Sequence, residues 1–193
     1  TMAIIHDNDR EIFYSDDRSE WRQWLNDNFE TAEDIWFAMP LKDSDKPGII
    51  YNDAVEEALC FGWIDSIAGT IEGFNLRRFT PRRKGSTFSR PNIERLIWLD
   101  SQGMIHPSVR PDVEKLITTE YVFPKDIIRV IKKDEVAWEN FQSFSDSYKR
   151  IRVAYIDAAR GRPKEFKKRL KNFIEKTHQN KIIIGHGGVD KYY

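Results

Sequence analysis

The chain has 193 residues, 40% of them hydrophobic, so it can bury a core of its own and fold as a globular protein. No apolar run approaches the roughly 20 residues that a membrane-spanning helix needs, and the amino-terminal segment lacks the basic-then-apolar order of a signal peptide. A single cysteine excludes an internal disulfide and a cysteine-rich zinc site. We therefore expect a cytoplasmic location.

The formal net charge is zero, but the charges are unevenly distributed. Residues 1–148 carry 18 lysines and arginines against 27 aspartates and glutamates, whereas residues 149–181 carry 12 against 3. A basic segment this dense can bind phosphates, nucleic acid or an anionic membrane surface. The sequence favours the alternative that it forms a solvated helix face docked on the acidic part of the chain.

Hydrophobic spacing and turn residues predict an α+β fold. We expect a small antiparallel sheet with flanking helices at residues 1–105, a helical subdomain at 106–181 and a loose tail at 182–193. The first part is predicted to begin with a strand at 11–14 and a helix at 16–28 whose tryptophans lie in the core. Residues 34–41 could start a helix capped by Thr31, but Pro40 and the aromatic content favour a strand. A helix from 52 to Gly62 and a hairpin of strands at 63–70 and 74–80 follow.

The rest of the chain is predicted to be mainly helical, because proline or a short polar residue precedes each apolar segment with helical spacing. The predicted helices are 89–102, 107–118, 125–133, 134–144, 146–160 and 164–178. Residues 182–184 are typical of a short strand.

Three residues near the end of the helix at 52–62 are candidates for enzyme chemistry. Glu57 and Asp65 are possible general bases and Cys60 a possible nucleophile. A reactive thiolate needs a nearby cation or a helix amino terminus, but Cys60 lies near a helix carboxyl terminus with no histidine close in sequence. The pattern favours a half-buried structural thiol at Cys60 and solvated side chains at Glu56 and Glu57, and leaves a structural and a functional role open for Asp65.

Basic residues are concentrated between Arg77 and Arg95. This stretch holds seven lysines and arginines against one acid, with aromatic residues between them. That composition is typical of a surface that binds anions or single-stranded nucleic acid. Strand alternation places Arg77 and Arg78 on opposite faces, and one of them is predicted to pair with Asp65 or a helix glutamate.

No metal or cofactor is predicted. The four histidines show no metal-ligand spacing. Residues 185–188, GHGG, lack the Gly-Lys-Ser/Thr ending of a phosphate loop, and the chain has no glycine-rich dinucleotide fingerprint.

Three central segments, DAVEEALCFGWIDS, RRFTPRRKGSTFSRPN and LDSQGMIHP, resemble the bacterial YdeI/OmpD-associated family, also called the bacteriocin-protection family. The resemblance extends upstream to WRQWLNDNF and downstream to PKDIIRVIK and YIDAARGRPKEFKKRL, so it covers most of the chain. The family positions carried by this sequence are Asp53, Glu57, Cys60, Phe61, Gly62, Trp63, Ile64, Asp65, Ser66, Phe79, Pro81, Arg82, Ser86, Ser89 and Asn92.

Two positions depart from the family pattern. Phe88 stands where the family usually has tryptophan, and this change should preserve a packing surface. The tail has AARGRPKEF where the family more often has an A-K-x-x-E-T-R-like run. The resemblance implies an α+β body, a helical carboxyl-terminal subdomain and a part in tolerance of antimicrobial peptides or envelope stress. It implies no known reaction.

We predict a binding module and not an enzyme, with its site where the chain reverses direction after Gly62 and after the 74–80 strand. In this site Trp63 supplies an apolar wall, Arg82 binds a negative group and Asp65 orients an arginine or a donor. The predicted ligand- or partner-binding residues are Trp63, Asp65, Arg78, Arg82, Ser86, Ser89 and Asn92. The expected partner is a small anionic ligand or a protein.

Two alternatives stay open. The first is an enzyme that uses Asp65 or Glu57 as a base and Cys60 as a nucleophile. The second, less favoured, is nucleic-acid binding through residues 77–95 and the basic tail, which predicts a steep dependence of affinity on salt.

Overall fold

A computed structural model describes residues 2–193 of the chain. These residues form five strands, eight α-helices and one 3-10 helix, which confirms the predicted α+β class. They divide into two compact units, each made of two segments of the chain. The first comprises residues 2–87 and 96–115, and the second comprises residues 88–95 and 116–193. Residues 106–115 lie in the same unit as the sheet, and the predicted domain boundary at 105 stays a prediction. None of the helices within residues 2–193 is long and apolar enough to cross a membrane.

A five-stranded sheet forms the first unit, with the order β1-β2-β3-β5-β4. Its strands are β1 (Ala3–Asp7), β2 (Arg10–Tyr14), β3 (Ile35–Pro40), β4 (Trp63–Ile71) and β5 (Phe74–Pro81). The strands of the predicted β4–β5 hairpin are antiparallel. The other neighbouring strand pairs are also antiparallel, except β2 and β3. The β2–β3 pair is parallel because helix α1 (Arg18–Asn28) connects the two strands. Strand β1 was not predicted.

The core of the first unit is built around Trp21 of α1, as predicted from the helical spacing. Its ring centroid lies 5.0 Å from that of Phe13, 4.9 Å from Phe37 and 5.4 Å from Phe79, and all four side chains are fully buried. The indole N–H of Trp21 donates to the carbonyl of Ala54, 3.0 Å away. This bond joins α1 to helix α2 (Tyr51–Cys60) over the sheet.

Gly62 ends the turn between α2 and β4, as predicted. Its φ of 73° is in the left-handed region, where glycine carries no Cβ penalty. The carbonyl of Gly62 accepts a hydrogen bond from the backbone N–H of Arg82, 2.9 Å away, so the start of β4 is tied to the end of β5. This connection sets the position of the loop that follows β5.

The second unit is helical. Its buried cluster includes Ile127, Phe141, Tyr148, Ile156 and Phe173. The remaining helices of the chain are α3 (Arg90–Ser101), which contributes its first residues to this unit, α4 (Arg110–Thr118), α5 (Lys125–Lys132), α6 (Glu135–Ser143), α7 (Asp146–Asp157) and α8 (Pro163–His178). All six were predicted, with differences at their ends.

The last twelve residues do not form the predicted loose tail. Residues 182–184 are not a strand, and Val189–Tyr192 form a 3-10 helix with Val189 buried. The hydroxyl of Ser147 in α7 donates to the carbonyl of Tyr192, and the rings of Tyr148 and Tyr193 lie 4.7 Å apart, edge to face. The prediction failed because the three glycines of this segment are typical of a loose chain, whereas the apolar residues beside them pack against the helices.

Candidate binding cleft in the first unit

A cleft of about 800 Å³ lies where β4 begins and β5 ends. Its polar lining comprises three arginines, four hydroxyl residues and two exposed acids: Arg78, Arg82, Arg83, Thr31, Ser66, Thr80, Ser86, Glu30 and Glu33. The hairpin supplies one wall, and the segment after α1 supplies the acidic rim. Guanidinium and hydroxyl groups together can bind a carboxylate or phosphate through charge-assisted hydrogen bonds.

Arg82 and Ser86 lie together in this cleft. The Arg82 guanidinium donates to the Ser86 hydroxyl at 3.0 Å and to the Thr87 carbonyl at 2.8 Å. Partial burial lowers the pKa of Arg82 from its usual value, although it stays protonated at neutral pH. Arg82 therefore holds the loop after β5 in shape while contributing positive charge to the cleft.

Arg78 lines the same cleft, but its acidic partner is not one of those predicted. Its Nε donates to Asp34 at 2.7 Å, whereas Asp65 accepts a hydrogen bond from the hydroxyl of Tyr51 at 2.8 Å. Register explains the difference: Asp65 pairs with Phe79, so strand alternation places it on the face opposite Arg78. Arg77 lies over the Tyr51 ring, 5.5 Å from its centroid.

Trp63 and Asp65 do not line the cleft. Trp63 is buried, and its indole N–H donates to the carbonyl of Phe29 at 3.1 Å. The next residue, Ile64, lines the cleft instead, together with the apolar side chains of Ala32 and Pro81. The aromatic character of Trp63 suggested a binding wall, but this side chain belongs to the core.

Ser89 and Asn92 belong to the second unit, at the start of α3. The Ser89 hydroxyl accepts from the backbone N–H of Asn92 at 3.3 Å, and the Asn92 side chain accepts from Arg95 at 3.0 Å. These contacts are those of residues that cap and stabilise a helix start. The predicted site residues that share the cleft are therefore Arg78, Arg82 and Ser86.

Six of the nine polar residues of the cleft were not predicted as site residues: Glu30, Thr31, Glu33, Ser66, Thr80 and Arg83. Arg83 was noted only as part of the basic stretch, and Thr80 could have been found by strand alternation, since it lies two residues after Arg78. Glu30 and Glu33 gave no signal, because they are about 50 residues away in sequence from the arginines they face.

The helix glutamates are not solvated, contrary to the prediction. Glu56 is fully buried and Glu57 is 2% exposed. Arg18 Nε donates to Glu57 at 2.6 Å and Arg22 donates to its other oxygen at 2.8 Å, while Arg18 also binds Glu56 at 3.0 Å. Because both oxygens of Glu57 are bound to arginines, this carboxylate is poorly suited to act as a base.

Cys60 is fully buried and has a high pKa. Burial, with a further contribution from the charge of Glu57, raises the pKa of Cys60 to about 12, although Arg22 opposes the shift. The thiol is therefore protonated at neutral pH, which does not favour the alternative of a cysteine nucleophile.

We predict that iodoacetamide will not alkylate Cys60 in the folded protein between pH 7 and pH 9, and will alkylate it rapidly in denaturant. Since the folded pKa exceeds the unfolded one, the thiol contributes stability below pH about 9 that is lost as the pH rises towards 12. Mass spectrometry after timed labelling measures this directly. Fast labelling at pH 7 without denaturant would restore the enzyme hypothesis.

The basic stretch from residue 77 to residue 95 does not present all its charges to solvent. Arg90 donates to Glu94 at 2.7 Å, and Arg95 is 5% exposed and donates to the carbonyl of Gly187 at 2.8 Å. With Arg78 paired to Asp34, the exposed cations of this stretch are concentrated in the loop after β5, at Arg83 and Lys84. Such a short basic loop offers few phosphate contacts to nucleic acid.

The fold and the cleft define an α+β protein with a cationic cleft at the end of a β-hairpin. Residues 13–111, just over half of the chain, match a family described as a domain of unknown function (DUF8412), and the chain belongs to that family. Residues 120–180 match the family described as bacteriocin-protection, YdeI or OmpD-associated. Comparisons with curated proteins and with solved structures gave no match.

The family predicted from the sequence is thus confirmed, through residues 120–180. This match covers the helices α5 to α8, including the segments PKDIIRVIK and YIDAARGRPKEFKKRL. The central segment, on which the resemblance mainly rested, lies within the match to the domain of unknown function. The chain therefore joins two family segments, and the cleft lies in the first.

Proposed function

We propose that this chain is a cytoplasmic binding protein of the bacteriocin-protection type. In this proposal the cleft of the first unit recognises an anionic group of a small molecule or of a protein partner. The observation that carries the proposal is that Arg78, Arg82 and Arg83 line one cleft together with several hydroxyl groups. The family match at residues 120–180 supports the protective role.

The three arginines have different parts in this proposal. Asp34 neutralises Arg78, and Arg82 holds the loop through Ser86 and Thr87. Arg83 is exposed, and the loop is anchored through its carbonyl, which accepts from the hydroxyl of Ser86 at 2.8 Å. Its guanidinium is therefore the group best placed to bind a ligand without loss of loop structure.

The acidic rim restricts the class of ligand. Glu30 and Glu33 are exposed and line the same cleft as the arginines. A polyanion such as nucleic acid would bring phosphates close to these carboxylates, which disfavours its binding. The charge pattern favours a ligand that carries a cationic group beside its anionic one, as peptides and many amino-acid derivatives do.

We predict that Arg83→Gln weakens ligand binding at least tenfold without lowering the melting temperature of the free protein. The test is a thermal-shift screen against metabolites, nucleotides, peptides and short oligonucleotides. Lys84→Gln is the matched control, because Lys84 is the next residue, is exposed and carries the same charge but does not line the cleft. Ligands that stabilise the wild type and Arg83→Gln equally would contradict the proposed cleft.

The protective role needs a separate test in cells. A bacterial strain sensitive to a bacteriocin would express the wild type, Arg83→Gln or Lys84→Gln at equal soluble levels, and survival would be counted after exposure. We expect protection by the wild type and by Lys84→Gln only. Equal protection by Arg83→Gln would place the protective function outside the cleft.

A further inference from the structure

The second unit contains a cluster of cationic and hydroxyl side chains that the proposed function does not use. Arg152 of α7 and Arg169 of α8 both lie over the ring of Tyr155, with their guanidinium carbons 4.6 Å and 3.7 Å from its centroid. The two cations are therefore at most about 8 Å apart. The ring of His186 lies 5.7 Å from that of Tyr155.

Arg152 is unusual because it is buried without an anion. It is 5% exposed, and its Nε has no hydrogen-bond partner in the described part of the chain. Among residues 2–193 no carboxylate lies within ion-pairing distance of it. Arg169, by contrast, donates to Glu165 at 3.0 Å and to the Tyr155 carbonyl at 2.7 Å.

A second buried polar group lies beside Arg152. The hydroxyl of Tyr193 is buried, and Arg152 is the side chain beside it that can donate to it, although not with ordinary hydrogen-bond geometry. Burial raises the pKa of Tyr193, and the neighbouring Arg152 opposes that rise. Burying the Nε of Arg152 without a hydrogen-bond acceptor and its charge without a paired carboxylate costs free energy, which the contact of Arg152 with Tyr155 offsets only in part.

Basic and acidic groups both lie near the cluster. Burial lowers the pKa of His186, and Arg152 and Arg169 lower it further against the opposing charge of Asp190. The nearby acids have partners, since Asp190 accepts from the backbone N–H of Gly185 at 3.0 Å and Glu165 binds Arg169. Glu165 thus offsets the charge of Arg169, and Asp190 keeps its negative charge because its donor is a backbone N–H. Within residues 2–193, Arg152 is the cation of the cluster without a carboxylate in ion-pairing distance.

We infer that this cluster is a binding site for a phosphate group. Its donors come from three directions: Arg152 from α7, Arg169 from α8, and His186 with Tyr193 from the carboxyl-terminal segment. A tetrahedral phosphate has enough oxygens to accept from all three, whereas a planar carboxylate has two. His186 is exposed and Arg152 lies beneath the surface, so the phosphate enters from solvent.

The test is a titration of the full chain with inorganic phosphate and, separately, with glycerol 3-phosphate at 150 mM sodium chloride. Binding is measured by calorimetry and by the NMR shifts of the His186 ring protons. We expect saturable binding by at least one probe, with both measurements giving the same Kd. Tighter binding of the inorganic ion identifies free phosphate as the ligand, and tighter binding of glycerol 3-phosphate identifies a phosphate ester.

The variants locate the site. Arg169→Gln and His186→Gln are expected to weaken binding at least tenfold with unchanged circular dichroism, because both residues are closer to the surface than Arg152. Lys168→Gln is the matched control, since it removes one exposed positive charge from the neighbouring position of α8. Absence of saturable binding, or equal weakening by Lys168→Gln, would overturn the inference. Arg83→Gln should leave phosphate binding intact, which separates this site from the cleft.

Discussion

Glu57→Gln is expected to lower the free energy of unfolding of the first unit by about 3 kcal/mol. The substitution keeps the shape of the side chain but removes the charge that Arg18 and Arg22 share. Removing one partner of a buried ion pair typically costs about 3–5 kcal/mol, and the lower figure applies because the side chains of the two arginines are 27% and 36% exposed. Water can solvate them in part after the substitution.

Urea denaturation followed by tryptophan fluorescence measures this loss, because five of the six tryptophans lie in the first unit. Glu72→Gln is the control, since Glu72 is exposed in the β4–β5 turn. A double-mutant cycle with Arg22→Gln should give a favourable coupling between the two residues. A loss of less than about 0.5 kcal/mol, the range of ordinary surface substitutions, would show that the buried ion pairs do not hold α1 to α2.

Trp21→Ala is expected to lower the free energy of unfolding by about 3–5 kcal/mol, the usual cost of truncating a buried aromatic side chain. The indole is fully buried against Phe13, Phe37 and Phe79. Its removal leaves a cavity between α1 and the sheet and removes the indole donor to the carbonyl of Ala54. Guanidinium denaturation followed by far-ultraviolet circular dichroism is the appropriate measurement, since it does not depend on tryptophan emission.

Trp21→Phe separates the two contributions. It keeps much of the ring packing but loses the hydrogen bond to Ala54, so we expect about half the loss seen with alanine. Ile67→Ala, at a side chain that is 54% exposed, serves as the control for an ordinary surface truncation. If Trp21→Ala cost no more than Ile67→Ala, the core of the first unit would have to lie elsewhere.

The candidate cleft was only partly predictable from the sequence. Strand alternation correctly separated Arg77 from Arg78, and the turn after β5 correctly brought Arg82 close to Ser86. The partner of Arg78 was predicted wrongly, because Asp34 is 44 residues away and is positioned by the β3–β5 pairing. Alternation along one strand identifies a face of a sheet but not the residue that a neighbouring strand places beside it.

The sequence by itself determined most of the helices and the β4–β5 hairpin, and three of the helices begin where a short side chain accepts from the first turn. Asp17, Asp134 and Ser145 precede these helices, and each side chain accepts a backbone N–H two or three residues further on. Only the tertiary structure decided the environment of each charge. Glu57 is buried because α1 lies against α2 and supplies Arg18 and Arg22, whereas Arg152 is buried with no acid paired to it. The physical reason is that hydrogen bonding and capping act over a few residues, whereas burial and ion pairing depend on which distant segments pack together.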